Sequence, residues 1–310
     1  MAHDLAHDVA DDAAHDVLSF YARPGRFTGL DQADRLPDAG IEAVVAAVQG
    51  LVVYDLAAQP FYGVELDPIQ AEAIHERDSR RLVDTLRTIK PGALDEAREP
   101  AARIGGRCHS YTKLTVALLR AAGVPARSRC GFGGYFVPGW FEDHWVAEYW
   151  DAVGGEWRLV DAQLDEVWCD QFGFEGDPLA ISPEQFLTAG HAWQGWRRVD
   201  LDDGRFGLTS VGEHGAHWIA NNLRLDLAAL NKVEMLPWDV WGVDWLPGEV
   251  PDDDVLEAFD VVAAFTVDPD ADLAGLRACY ENGAQLRVPE RVFNVLRDRD
   301  EAVPAGSGSR

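Results

Sequence analysis

Between Gly105 and Ala162 the chain spells out, in order, a turn, a helix, a helix stop and a run of strands. Gly105-Gly106-Arg107 is the turn. Cys108 to Ala122 then places Leu114, Val116, Ala117, Leu118 and Leu119 in an apolar helix. Gly123-Val124-Pro125 stops it, because glycine takes a left-handed cap and proline cannot continue the helix. Arg127 to Phe132, His144 to Trp150 and Trp157 to Ala162 carry the aromatic and branched residues of strands. Gly154-Gly155 marks a hairpin between the last two. A helix followed by hairpin-linked strands predicts an α+β fold, with the helix packed on an antiparallel sheet.

The flanks read as mainly helical. Gly40 to Ala57 predicts helical turns beside a buried segment, and Ile69 to Ile89 predicts one charged amphipathic helix. Asn221 to Trp241 predicts a helix ending near Pro237. Pro251 to Val295 predicts a helical cap, opened by Asp252-Asp253-Asp254, whose carboxylates suit a helix N-terminus. No repeat of solenoid length is present.

Composition excludes whole classes of partner. The net charge of −26 repels phosphate backbones and anionic membrane surfaces. No run approaches the ~18–20 apolar residues of a membrane helix. The acidic start, Met1-Ala-His-Asp, does not read as a signal peptide. The four cysteines, at 108, 130, 169 and 279, form no paired spacing. They predict free thiols in a reducing cytoplasm.

One cysteine stands apart. Cys108 lies in the first turn of its helix, after Arg107. The helix terminus and the adjacent cation both favour a thiolate there. His144 opens a strand and Asp161 closes the next. Together these types supply a nucleophile, an acid/base and a group that orients the imidazole. His109 is a poor partner, since adjacent helical residues do not face each other. Cys130, Cys169 and Cys279 read as small buried hydrophobes.

Three blocks carry a resemblance: Gly106-Arg-Cys108 through Gly123-Val-Pro-Ala-Arg127, Asp143-His144-Trp-Val-Ala-Glu-Tyr, and Trp157-Arg-Leu-Val-Asp161. Residues 80–165, roughly, resemble the transglutaminase-like superfamily. The resemblance implies a papain-like core with helical additions at both ends. It implies a Cys-His-Asp site, with Cys108, His144 and Asp161 at the matching positions. The implied activity is thiol-dependent amide hydrolysis or acyl transfer to an amine, on a peptide, protein or small amide. A non-catalytic binding module that retains the fold is the alternative. The implied organisation is a flexible acidic segment 1–18 and one globular domain 19–295. That domain holds a core about 69–170 and a Trp-rich extension about 171–295. A flexible tail 296–310 follows.

The third member is open between two carboxylates. A two-residue turn at Gly154-Gly155 pairs His144 with Asp165. It leaves Asp161 four residues from His144, about 13 Å at ~3.3 Å per residue. Direct opposition of His144 and Asp161 needs a longer loop or a bulge around Asp151 to Gly155. The Trp-x-Leu-Val-Asp context favours Asp161, with Asp165 second. The backbone N–H of Cys108 is the natural first oxyanion donor. The family often uses an upstream Trp or Gln as the second. No Trp precedes Trp140, which leaves Gln70, Tyr62 and Tyr54.

No cofactor or metal is expected. His3 and His7 in the acidic stripe, and His214 and His217, lack a third ligand. The Asp252–Asp254 triplet lacks the calcium-loop pattern. The seven tryptophans after Asp161 either line a cleft over Cys108 or simply pack.

Overall fold

The computed structural model describes residues 14–37, 40–242, 248–249 and 251–306. His3, His7 and most of the acidic stripe lie outside the described residues, as does Trp245. Residues 14–21 are helical (α1), and Val17 within them is buried against the core, so the flexible-segment boundary at 18 falls too late.

The expected segment 40–57 resolves into α2 (Ile41–Leu51), β1 (Val52–Tyr54) and α3 (Ala58–Tyr62). The single helix expected over 69–89 is two, α4 (Pro68–Glu72) and α5 (Ser79–Ile89). The break has a local cause. Asp78 turns extended and its carboxylate accepts from Arg80 N–H, which caps α5. The short β2 (Ile104–Gly106) pairs parallel with β1, an element the sequence did not announce. It leads straight into α6 (Cys108–Ala121). Gly105 and Gly106 make this approach possible. A Cβ on Gly106 would lie 2.5 Å from Val52 Cγ1, and one on Gly105 would lie 2.7 Å from Gln70 O.

The strands are β3 (Ala126–Gly133), β4 (Phe141–Asp151), β5 (Glu156–Val160), β6 (Phe186–Thr188), β7 (Phe206–Leu208) and β8 (Glu213–His214). Between them fall α7 (Glu166–Phe172) and α8 (Ala189–Arg197). The main ladders, β3 with β4 and β4 with β5, are antiparallel as expected. The sheet is nonetheless mixed, because β7 runs parallel to β4. A parallel partner needs a long crossover, and the chain between β5 and β7 provides one. β4 is central. One of its edges pairs along β3. The other pairs with β7 at Phe141 and Glu142 and with β5 only from Ala147 onward. Asp143 to Val146 lie in the gap between those two ladders.

Beyond the sheet come α9 (Ala216–Leu230), β9 (Asp239–Val240), α10 (Asp253–Val267) and α11 (Leu273–Asn282). α9 starts earlier and ends sooner than the sequence implied. Lys232 adopts a positive φ just past its end, and its ammonium caps carbonyls of Phe20, Arg23 and Pro24. The expected helical cap ends instead in a hairpin, β10 (Arg291–Asn294) with β11 (Arg299–Ala302). Arg297 bridges to Glu72 and Glu301, and Val303 is buried. The tail expected from 296 is therefore ordered structure as far as the hairpin runs.

Two apolar clusters flank this arrangement. One joins α2, α5 and α6 to Ala126, Ala147, Tyr149 and Val160. The other joins α8, α9 and α10 to Cys130, Phe132, Trp145 and Phe206. The chain is thus mixed α+β. No helix among the described residues is long and apolar enough to cross a membrane.

Candidate active site

α6 is buried along nearly its whole length, so its first residue is held at a fixed place. Cys108 is 8% exposed and lies in the wall of a cavity of about 350 Å3. His144 comes from β4, inside the gap between the β5 and β7 ladders. Asp161 follows directly on the end of β5. The β4–β5 register pairs Asp151 with Glu156 and Ala147 with Val160, around a loop of residues 152–155. The loop is longer than a two-residue turn, as a contact with Asp161 required, but it does not set His144 and Asp161 directly opposite. Continuing the ladder sets Asp161 beside Val146, two residues from direct opposition to His144. Diagonal neighbours of this kind are within reach of an imidazole and a carboxylate.

The contact is made. His144 Nε2 and Asp161 Oδ2 are 2.7 Å apart, and both side chains are 2% exposed. Asp161 is itself held on every side. Tyr135 Oη donates to the same Oδ2 at 2.7 Å, and Gln163 N–H donates to Oδ1 at 3.0 Å. Asp165 is placed elsewhere. It caps α7 by accepting from Trp168 N–H, and it takes the Tyr62 hydroxyl at 2.6 Å.

Cys108 is close enough to His144 to act on its charge. Burial alone would push the imidazole pKa down. The Asp161 charge and hydrogen bond, reinforced by Cys108, outweigh that and raise it to about 10. Aromatic rings of Tyr135, Phe136 and Phe186 surround the imidazole.

Arg107 does less for Cys108 than its position in the sequence implied. Its guanidinium forks onto Asp55, with Nε at 3.0 Å and Nη2 at 3.0 Å from the two oxygens. That carboxylate offsets the charge Arg107 offers its neighbour.

The other titratable candidates sort by burial. Burial pushes the thiols of Cys130, Cys169 and Cys279 up, which keeps them protonated. His109 lies between the rings of Trp145 and Trp238. Burial, with Lys113 and Arg77 adding to it, pushes its pKa well down and holds it neutral.

Of the three candidates for a second oxyanion donor, two are committed elsewhere. Gln70 donates to the carbonyls of Ala101 and Arg103 and accepts from Asp67 N–H. Tyr62 is bound to Asp165. Tyr54 shares the cavity wall with Cys108. Burial raises its phenol pKa, and the nearby Cys108 adds to the rise.

Sequence reasoning missed Asp143 as more than a flank of His144. It lines the same cavity as Cys108. Asn222 Nδ2 donates to its Oδ1 at 2.9 Å. Desolvation raises its pKa to about 6, partly offset by that hydrogen bond. The only signal in the sequence was a charged residue just before the strand histidine. Trp218 and Trp238 also line the cavity, whereas Trp193 and Trp241 pack in the core. Among the described residues no group of three His, Cys, Asp or Glu side chains is arranged to hold a metal.

Comparison with known families places the motif-bearing part of the chain. Residues 76–162 match the model of the transglutaminase-like superfamily. The matched segment holds α5, α6 and the β3–β5 ladders, and it includes Cys108, His144 and Asp161. No curated protein and no solved structure gives a significant match.

Proposed function

We propose that the protein is a cysteine-dependent enzyme acting on an amide or another acyl group. The observation that carries this reading is the His144–Asp161 contact of 2.7 Å, with Cys108 near the same imidazole in the wall of a cavity. Cys108 is the nucleophile, His144 the acid/base and Asp161 the group that orients the imidazole. With the His144 pKa near 10, the imidazolium is favoured at neutral pH, which is the form that accompanies a thiolate.

The steps follow from these roles. The Cys108 thiolate, with its proton on His144, bonds the carbonyl carbon. The carbonyl oxygen becomes an oxyanion, held by the Cys108 backbone N–H and, in this reading, by the Tyr54 hydroxyl. The C–N bond breaks and His144 delivers its proton to the departing amine, which leaves a thioester. Water or a second amine attacks that thioester, His144 takes the attacker's proton, and the Cys108 sulfur leaves as the thiolate. The products are an acid or a new amide, with the thiolate and imidazolium restored. The substrate is a peptide, a protein or a small amide. The charge of −26 disfavours nucleic acid and anionic membranes as partners.

Thiol labelling followed by intact and peptide mass tests the assignment. Iodoacetamide is expected to modify Cys108 well before Cys130, Cys169 and Cys279. In an acyl-donor screen the wild type is expected to accumulate a covalent adduct that Cys108→Ala never forms. Equal, slow labelling of all four thiols would support a binding module instead.

A further inference from the structure

We propose that the acyl donor brought to Cys108 carries a primary ammonium group, and that Asp143 is the residue that reads it. The proposal rests on Cys108 being the nucleophile and names the substrate class of that site.

Cys108 and Asp143 lie in the wall of one cavity of about 350 Å3. Tyr54 lines the same wall, and its phenol pKa is raised by burial first and then by the charges of Cys108, Asp55 and Asp143. Much of the remaining wall is apolar, with Leu208, Trp218, Trp238, Val240 and Phe259. A carboxylate in such a wall is poorly solvated unless a cation comes to it. Asn222 supplies one neutral hydrogen bond, at 2.9 Å. The charges acting most strongly on Asp143 are His144, which favours the carboxylate, and Glu142, which opposes it.

Two arginines also line the cavity, and both are engaged. Arg107 is forked onto Asp55. Arg224 donates to Asn221 Oδ1 at 3.0 Å and lies over the Trp241 ring. With Arg107 paired to Asp55, the wall sets the carboxylates of Asp143 and Glu213 against the one guanidinium of Arg224, so the balance left to a ligand is negative. An ammonium is compact and brings three donors, which suits a carboxylate set in a largely apolar wall. Because Asp143 shares the cavity with the nucleophile, the amine belongs to the molecule that delivers the acyl group.

Chloromethyl ketones test this without knowledge of the scissile bond. The Cys108 sulfur bonds the methylene carbon and chloride leaves. Three phenylalanine reagents are compared, with a free amino group, an N-acetyl group or an N-succinyl group. Each rate is divided by its rate with free N-acetylcysteine. The free amine is expected to modify Cys108 about 10-fold faster or more than the N-acetyl reagent, the scale of one hydrogen bond between charged groups. In Asp143→Asn that ratio is expected to collapse toward one, whatever the absolute rate becomes. Equal rates for the amine and the N-acetyl reagent would overturn the proposal, and so would preference for the anionic succinyl reagent. Iodoacetamide separates the two levels of the argument. If it labels Cys108 first while the amine preference is missing, the ammonium reading falls and the nucleophile stands. If no reagent modifies Cys108, both fall.

Discussion

The segment from β2 to β5 and the extension from α8 to β11 are built on different principles. In the first, charged and reactive groups are held by short-range devices. Two glycines seat the start of α6, and a diagonal register carries Asp161 to His144. In the second, long helices pack a broad apolar core, and the polar groups that do reach inward brace the sheet. α9 shows the contrast on one helix. Asp226 accepts from Arg129 and from Cys130 N–H on β3, whereas Asn222 holds Asp143 in the cavity wall. One segment carries the groups proposed to react. The other holds them still and closes the space around them, with Val295 and Leu296 from the hairpin region at the cavity rim.

If that division is right, substitutions in the two regions fail in different ways. Asp161→Asn is expected to give the largest effect. The imidazole loses its orienting carboxylate, and turnover should fall by about 10²–10⁴ with the fold retained. The same variant carries a stability signature. His144 has a raised folded-state pKa, so its contribution is fully present below about pH 6.5 and is lost as pH rises toward 10. Wild type should lose this stability across that window in denaturant titrations, and Asp161→Asn should not. An unchanged turnover in the variant would break the comparison at its centre.

Asp226→Ala probes the other region. It leaves the buried Arg129 guanidinium with Glu148 as its remaining ion-pair partner, beside the Thr266 carbonyl, and strips Cys130 N–H of its acceptor. Removing one partner of a buried ion pair costs about 3–5 kcal/mol. The expected result is a lower denaturant midpoint, while iodoacetamide still selects Cys108 in the molecules that remain folded. Loss of that selectivity without loss of stability would show that α9 acts on the chemistry directly.

The sequence was most informative where local rules act. The Gly-Val-Pro stop of α6 and the aromatic and branched residues of β3 to β5 are written in neighbouring positions, so those elements fall close to their expected bounds. The long helix over 69–89 was misread because Asp78, a residue with no apolar signature, divides it by capping. The pairing of His144 with Asp161 depended on a loop whose length two glycines do not determine, and the structure adopts a register between the two considered. Asp143 and Tyr54 were the least legible. Tyr54 is more than fifty residues from Cys108 in sequence, and only the parallel β1–β2 pairing brings it to the cavity. The hairpin over 291–302 was hidden because it is mostly polar and exposed, with alternate burial only in β10.

The smallest expected effect is the most specific to the comparison. A carboxylic acid whose pKa is raised from 3.8 to about 6 destabilises the folded protein whenever it is ionised. The cost is present above about pH 6, and it disappears as pH falls toward 3.8, where the group is protonated in both states. Asp143→Asn keeps an oxygen for Asn222 and removes the charge. The variant should therefore be more stable than wild type at pH 7.5, by roughly 1–2 kcal/mol, a figure reduced because Asp143 is only partly buried. The advantage should shrink at pH 5 and vanish near pH 4. Residues that serve packing do not behave this way, since removing them costs stability at every pH. A stabilised Asp143→Asn that also loses its preference for amine-bearing reagents would mark Asp143 as a group retained for ligand recognition at the expense of the fold. A destabilised variant at pH 7.5 would place Asp143 with Asp226, as part of the bracing.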